Sequence, residues 1–216
     1  MRIAPAMLAA FASVFALVAV PVVGPVVGVD SFAVADARHR GHCTEWSSNK
    51  QPPPTIRVYR VSEGMVDEVD FKVYVTRVVS REWNVKQREL RKAGAVAVKQ
   101  YAWFHVLHYR GGSYDGKCYD VKDSTADQLY ASKPISQIPR GVKKAVQNTW
   151  SWRLRRPDGT FPMTGYRGGE NVGCAENVNG YKLYVRSAKK CAAEGWSAEK
   201  ILTVYYESEL ETTDAS

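Results

Sequence analysis

The stretch Asp70–Trp103 constrains the fold of this 216-residue chain more than any other part of it. Its first part places apolar side chains one helical turn apart, on one face of a helix: Phe71, Tyr74, Val75, Val78 and Val79. Asp70 directly precedes this pattern and is a suitable N-cap. The pattern therefore predicts an amphipathic helix that packs on a core.

A second helix is predicted to begin near Asn84, with Gln87 three residues on, as in a capping box. Its first turns are charged, whereas Ala93–Leu107 is apolar almost all round, which predicts burial of that half. Lys99 interrupts the apolar run, and because a buried cation needs partners, we expect it to reach a carboxylate, a cleft or the surface. Glu82 lies at the joint of the two helices, where a lone acid is a candidate for acid/base chemistry.

Residues 1–35 are interpreted as a secretory signal peptide. Arg2 precedes an uncharged apolar run, Met7–Val29, and small-residue cleavage patterns follow at Ala33–Ala35 and Ala35–Ala37, so residue 37 is the alternative end. An uncleaved membrane anchor is the competing interpretation, because the run is long enough to span a bilayer. We expect the remainder to be secreted or cell-wall associated or, with an anchor, membrane-attached outside the cytoplasm.

The rest of the chain is long enough for one domain with its own core. We expect a polar, proline-rich leader at 36–54, a single α+β domain at 55–207 whose helices bracket a strand-rich centre, and a frayed acidic tail at 208–216. The predicted elements are strands at Thr55–Val61 and Val66–Val69, a hairpin joining Thr149–Leu154 to Thr160–Tyr166, and helices at Lys182–Ala193 and Ala198–Tyr206.

Four cysteines follow the signal segment, and an even count in an exported chain predicts two disulfides. Of the three possible pairings we favour Cys174–Cys191, which closes a short loop, with Cys43–Cys118 holding the leader. The alternative is a metal site in which His39 and His42 join Cys43 and Cys118. That spacing matches no standard zinc pattern, so we predict neither a metal nor a cofactor.

The formal net charge is +8 and the sequence pI is about 9.3. Outside the cell, such a protein is expected to meet an anionic cell wall or membrane surface. No basic motif with interleaved aromatic residues is present, so nucleic acid is not a predicted partner.

Three segments, in order, carry a resemblance to a known family. The stretch YVTRVVSREWNV…LRKAGAVAVKQYAW resembles the stage II sporulation protein D family, also called the amidase-enhancer family. That family has a YV-x-x-VV-x-x-E helix, a short loop and L-K-A-Q-A-V-A-A-R-T-Y-A. Tyr119–Tyr130 is similar to its D-V-x-D-x-x-x-x-Q-x-Y segment, and Glu194–Tyr206 to its closing G-Y-S-x-x-x-I-L-x-x-Y-Y. The similarity extends from Ile56 to Tyr206.

The chain departs from this family pattern at three places. Trp83-Asn84 replaces Met-Pro after the glutamate, and Gly94 replaces the Gln of the K-A-Q-A motif. Gly180–Arg186 stands where the family usually reads H-G-x-G-M-S-Q-x-G.

The resemblance implies a role in the cell wall. Catalytic members are lytic transglycosylases that cut peptidoglycan glycan strands, and their catalytic glutamate falls on Glu82. The family's lysine and arginine on the next helix fall on Lys92 and Lys99. We add Gln128 and Lys182 as candidate substrate-binding residues. The implied partners are glycan strands and a cell-wall amidase; the alternative function is a non-catalytic peptidoglycan-binding protein or amidase enhancer.

Each candidate also has an ordinary structural interpretation. Glu82 is then a capping or salt-bridged carboxylate beside Arg81, Lys92 part of a charged helix face, and Lys99 a paired lysine. Gln128 is then a loop-fixing hydrogen bonder.

Overall fold

The computed structural model describes residues 43–130 and 132–213, so the proposed signal peptide and the first part of the leader lie outside the described residues. Helices in this part of the chain are Phe71–Glu82 (α1), Arg88–Leu107 (α2), Arg140–Asn148 (α3), Val185–Ala193 (α4) and Ala198–Tyr206 (α5), with a 3₁₀ turn at Ile135–Gln137. Strands are Thr55–Arg60 (β1), Met65–Asp70 (β2), Ser113–Tyr114 (β3), Lys117–Cys118 (β4), Val121–Lys122 (β5), Trp152–Arg155 (β6), Gly165–Arg167 (β7), Lys182–Tyr184 (β8) and Glu209–Thr212 (β9).

The strands form four small sheets around the helices. β1 pairs antiparallel with β2 on one edge and parallel with β5 on the other. β3 pairs with β4 and β6 with β9, both antiparallel, whereas β7 and β8 run parallel. Helices and short mixed sheets enclose one core, so the predicted α+β class is confirmed.

The first predicted helix is confirmed as α1. Asp70 caps it, since its Oδ1 accepts a hydrogen bond from the backbone N–H of Val73 at 2.8 Å. Its apolar face is buried in the core, including Tyr74 and Val78, neither of which has measurable exposure. The periodic pattern therefore located the element and its buried side.

The start of the second helix was predicted wrongly. α2 begins at Arg88, four residues after Asn84, and its N-cap Gln87 makes no side-chain capping bond. Residues 83–87 instead form a connection in which the indole of Trp83 is fully buried and Val85 N–H bonds back to the Trp83 carbonyl at 2.8 Å. Burial of that indole outweighs the local capping signal, because it removes a large apolar surface from water.

Most of the second half of α2 is buried, as predicted. Every residue from Ala93 to Gln100 is buried, and the helix packs against α1, α3 and α5. The large side chains sealed in this core are Trp83, Trp103, Tyr74, Tyr205, Tyr206 and Phe71. A central helix surrounded on several sides needs such an apolar circumference.

Two further element predictions are wrong. A turn does form at Asp158-Gly159, but its flanking strands do not pair: β6 pairs with β9, and β7 pairs with β8. The predicted helix Lys182–Ala193 begins as a strand, β8, and becomes helical only at Val185. Both errors have one cause, since strand partners distant in sequence decided the structure and local patterns do not contain that information.

The two ends of the described chain are also more ordered than predicted. The acidic tail contains β9, whose Leu210 lies opposite Leu154. The leader is held by more than its cysteine, because the indole N–H of Trp103 donates to the Ser48 carbonyl at 2.9 Å and Arg153 donates to the Asn49 carbonyl.

Both predicted disulfides, Cys43–Cys118 and Cys174–Cys191, are confirmed. The first uses both sulfurs that the alternative metal site required; His39 and His42 lie outside the described residues. Two disulfides indicate an extracytoplasmic location. Among the described residues, no helix is both long and apolar enough to cross a bilayer.

Candidate active site

Glu82 is the last residue of α1 and is half-buried, and its carboxylate is held at both oxygens. Oε1 accepts a hydrogen bond from the backbone N–H of Leu129 at 2.6 Å. Oε2 accepts one from the hydroxyl of Tyr166 on β7. The acid is thus fixed by a loop and a strand that are 47 and 84 residues further along the chain.

The direction of these hydrogen bonds is set by Gln128, which is fully buried. Its Nε2 donates to the Val98 carbonyl at 3.2 Å and to the Tyr166 hydroxyl oxygen at 3.1 Å. A backbone carbonyl only accepts, so the amide group must face it, and Oε1 is left to accept from the Tyr74 hydroxyl at 2.9 Å. Tyr166 therefore accepts from Gln128 and has its own hydrogen for Glu82.

The surroundings raise the pKa of Glu82. Burial is the largest cause, because it disfavours the charged form, and the nearby carboxylate of Asp123 adds to it. The hydrogen bonds from Tyr166 and Leu129 act in the opposite direction. The net effect favours a protonated carboxyl group at higher pH than in water, which is what a general acid requires.

The loop that carries Leu129 is built by two aspartates. Asp123 accepts from the backbone N–H of Tyr130 at 2.8 Å and pairs with the buried guanidinium of Arg60 at 3.2 Å. Asp127 accepts from the backbone N–H of Lys122 at 2.7 Å, so the two aspartates hold both ends of the loop. Burial disfavours the charged form of the Arg60 guanidinium. Its hydrogen bond to Asp123 and two further nearby carboxylates outweigh this effect and raise the pKa of Arg60. The Asp–x₄–Gln segment therefore builds the wall of the Glu82 site.

Trp83 and Gly94 pack directly against each other. The indole of Trp83 lies against the backbone of α2 at Gly94, where a Cβ would overlap the ring. The same indole makes an edge-to-face contact with Tyr166 at 5.2 Å between centroids. Two departures from the family pattern thus form a single complementary contact beside the acid.

Three predicted site lysines lie in different surroundings, and none of them hydrogen-bonds to Glu82 in the described part of the chain. Lys92 pairs with Glu89 at 2.9 Å, and Glu89 also accepts from the N–H of Ala198 at the start of α5. Lys99 is 1% exposed, and its ammonium donates to three backbone carbonyls, those of Thr149, Trp150 and Trp152.

Lys182 is exposed at the start of β8, where it is the register partner of Gly165. It therefore lies one position away along the paired strands from Tyr166. Of the predicted binding residues, Gln128 joins Glu82 through Tyr166, Lys182 lies on the strand next to Tyr166, and the other two lysines brace helices.

Tyr166 is the site residue that the sequence analysis missed. It lies in a glycine-rich stretch with neither a motif nor a helical period around it. Its place beside Glu82 follows from the parallel pairing of β7 with β8, a contact between segments that are separated by a loop. A single aromatic residue in a short strand carries no signal for that pairing.

The fold and site define a class of protein: an α+β domain with a half-buried glutamate at the joint of its two central helices. Residues 59–154 match the family model SpoIID, described as "Stage II sporulation protein", which is the family that the sequence resembles. The match covers Glu82, Lys92, Lys99 and Gln128, whereas Tyr166 and Lys182 lie beyond it. No curated protein matches the chain. A SpoIID domain implies a sporulation- or cell-wall-related protein.

Proposed function

We propose that this chain is an exported cell-wall protein that cleaves peptidoglycan glycan strands as a lytic transglycosylase, with Glu82 as its single acid/base. The observation that carries the proposal is the state of Glu82. Its carboxyl group is fixed at both oxygens, partly exposed, and has a pKa raised by burial. A surface carboxylate with only a capping role would not combine all three properties.

The proposed reaction needs no second carboxylate. Glu82 donates its proton to the glycosidic oxygen as the bond from C1 to that oxygen breaks, which leaves an oxocarbenium-like centre at C1. The resulting carboxylate then takes the proton of the same sugar's 6-hydroxyl, and O6 bonds to C1. The products are a free 4-hydroxyl end and a 1,6-anhydro sugar, Glu82 is protonated again, and no water is consumed.

The surrounding residues divide into two proposed roles. Gln128 has both amide atoms engaged inside the core, so we assign it to positioning Tyr166, which in turn holds Glu82. Lys182 is exposed beside that strand, and we keep it as a substrate-binding candidate. Lys92 and Lys99 brace helices near the site, and we assign them structural roles.

The test compares the parent protein with Glu82→Gln on glycan strands stripped of stem peptides. The parent is expected to release products with 1,6-anhydro-muramyl ends, detected by mass spectrometry, and the variant is not. Absence of such products from a folded parent protein would end the catalytic proposal.

A second function is favoured by one observation. Gly180–Arg186 replaces the family's H-G-x-G-M-S-Q-x-G segment and forms β8 beside Tyr166. A chain that kept the fold but lost cleavage would bind peptidoglycan or stimulate a cell-wall amidase. It would then sediment with insoluble peptidoglycan equally well as parent and as Glu82→Gln, without anhydro products.

A further inference from the structure

A cleft of about 340 Å³ lies where the start of α2 meets α4 and the glycine-rich loop after β7. The residues that line it are Gln87, Asn171, Arg186, Lys189, Lys190 and Ala193. Three of the six are cationic, and all three come from α4. Neither the Glu82 chemistry nor the family match gives this cleft a role.

The cations share one face of a short helix. Arg186, Lys189 and Lys190 stand at positions i, i+3 and i+4, so their side chains are neighbours. In the described part of the chain none of the three is in an ion pair, although many other basic residues are. Like charges at this spacing destabilise a helix, and Arg186 also lies in the first turn, where the helix dipole disfavours a cation. An anion bound in the cleft would offset both effects.

Gln87 adds a second requirement for a ligand of this cleft. Its Oε1 is buried and accepts no hydrogen bond, and its side chain does not cap α2. A buried acceptor without a partner costs free energy, so the cleft favours a ligand with a hydroxyl or amide donor as well as a negative charge. An anion without hydrogens, such as sulfate, satisfies the cations but not this oxygen. A sugar that carries an acidic group satisfies both.

The cleft also lies close to the Glu82 site along the chain. Gln87 follows Glu82 by five residues, and Arg186 follows Leu183, the register partner of Tyr166, by three. Adjacent strands are about 5 Å apart, and one residue of chain spans at most about 3.8 Å. The Cα atom of Arg186 therefore lies within roughly 16 Å of the Cα atom of Tyr166. The two sites are therefore close enough for sugars of one polysaccharide strand to occupy both.

We propose that this cleft binds an anionic sugar unit, one that carries a carboxylate or a phosphate, of the polymer on which the Glu82 site acts. Arg186, Lys189 and Lys190 hold the acidic group, and Gln87 accepts from a hydroxyl or amide of the ring. This inference rests on the proposed function, since it takes the ligand to be part of the same strand.

The test is a binding titration of the full mature protein followed by NMR. N-acetylmuramic acid is the carboxylate probe, glucose 6-phosphate the phosphate probe, and N-acetylglucosamine the neutral control. The cleft variant is Lys189→Gln/Lys190→Gln, and its matched control is Lys117→Gln/Lys144→Gln, which removes the same charge from exposed residues elsewhere. We expect the cleft variant to weaken binding of an acidic sugar by about tenfold and the control by less than about twofold, because nearby charges act far more strongly than distant ones.

Gln87→Leu separates a sugar site from a simple anion site. It is expected to weaken an acidic sugar while leaving the binding of sulfate, which has no hydrogen to donate, unchanged. Equal binding of acidic and neutral sugars, equal losses in the cleft and control variants, or binding of sulfate alone would each overturn the proposal. Melting curves of all variants verify that they are folded.

The two proposals fail in different ways. If the parent binds acidic sugars through the cleft but releases no anhydro product, the transglycosylase proposal fails and the cleft stands. If the parent releases product and Lys189→Gln/Lys190→Gln matches it in both binding and KM, the cleft proposal fails alone.

Discussion

Glu82 and Lys99 are charged residues on the two central helices, but they differ in hydrogen bonding and in exposure. The Lys99 nitrogen contacts three carbonyl oxygens, so even its charged form, with three hydrogens, has no donor left for a ligand. Each oxygen of Glu82 accepts one hydrogen bond and keeps a lone pair, and part of the side chain faces solvent. A charge that is fully satisfied in the core supports structure, whereas one that is held but not saturated remains available for chemistry.

The largest expected effect is on Glu82. Glu82→Gln keeps the size and an acceptor for Leu129 N–H but cannot donate a catalytic proton, so product release should fall by about 10²–10⁴-fold. Since burial raises the pKa of Glu82, ionising it costs the folded state stability, and this cost appears as pH rises through the folded-state pKa.

In urea unfolding, the stability of the variant relative to the parent should therefore grow with pH, although the amide of the variant no longer accepts the hydrogen of Tyr166. A variant that is inactive only because it is unfolded would contradict the contrast with Lys99. The contrast would also be contradicted if the stability of the parent relative to Glu82→Gln rose with pH.

The corresponding change at Lys99 should affect stability instead. Lys99→Met fills similar space but leaves the Thr149, Trp150 and Trp152 carbonyls without their donor, and we expect a loss of about 3 kcal/mol in the free energy of unfolding. The remaining folded protein should cleave glycan at the parental rate. Urea unfolding and activity per folded molecule measure the two quantities.

The pH dependence of this loss sharpens the comparison. Burial, with a contribution from Lys72, lowers the pKa of Lys99 from 10.5 to about 7. Between these values the unfolded chain binds a proton that the folded chain does not, so the contribution of Lys99 to stability rises with pH. The difference between parent and Lys99→Met should grow from about pH 7 to about pH 10.5; a difference that shrinks over this range would contradict it.

A third change tests the packing that holds Glu82 in place. Gly94→Ala puts a methyl group where the Trp83 indole lies, and overpacking of this kind costs about 1–3 kcal/mol. The indole must then shift against Tyr166, which contacts the acid. Urea unfolding should show the loss, and Trp83→Leu combined with Gly94→Ala should recover part of it, because the smaller side chain makes room for the methyl group.

If Gly94→Ala were as stable as the parent, the Trp83–Gly94 contact would not be the constraint described above. The matched control is Gly168→Ala, since a Cβ at Gly168 would contact nothing. That variant should be neutral.

These residues show how much of the structure could be predicted from the sequence. The helical period predicted α1, the burial of α2 and the place of Glu82 at their joint, because all three depend on residues close together in the chain. The spacing of Trp83 and Gly94 was visible as two separate departures from a family pattern. Only the packed helices show that the two departures are one contact.

What could not be predicted has a common physical origin. Tyr166 reaches Glu82 through parallel pairing of β7 with β8, and β9 returns to β6 across more than fifty residues. Strand pairing depends on the packing of the whole domain and on loop closure. A local sequence pattern contains information on neither. The site was therefore half predictable: the acid could be found from sequence, and the tyrosine that holds it could not.

The smallest expected effect concerns that tyrosine. Tyr166→Phe keeps the ring against Trp83 but removes the hydroxyl that bonds to Glu82 and accepts from Gln128. Tyr166 holds Glu82 in the ground state and in the transition state alike, so most of the value of this hydrogen bond cancels, and kcat should fall by no more than about tenfold. The pH profile is the more informative measurement.

The Tyr166 hydroxyl opposes the increase that burial imposes on the pKa of Glu82, so its removal should raise that pKa further. A general acid works while protonated, so the limb at which activity is lost with increasing pH should move to higher pH. Tyr181→Phe is the matched control, because this tyrosine is 65% exposed and its change should leave the limb in place. A limb that stays fixed or moves to lower pH in Tyr166→Phe would mean that the acid controlling the rate is not Glu82, and the contrast between an available glutamate and a saturated lysine would lose its catalytic meaning.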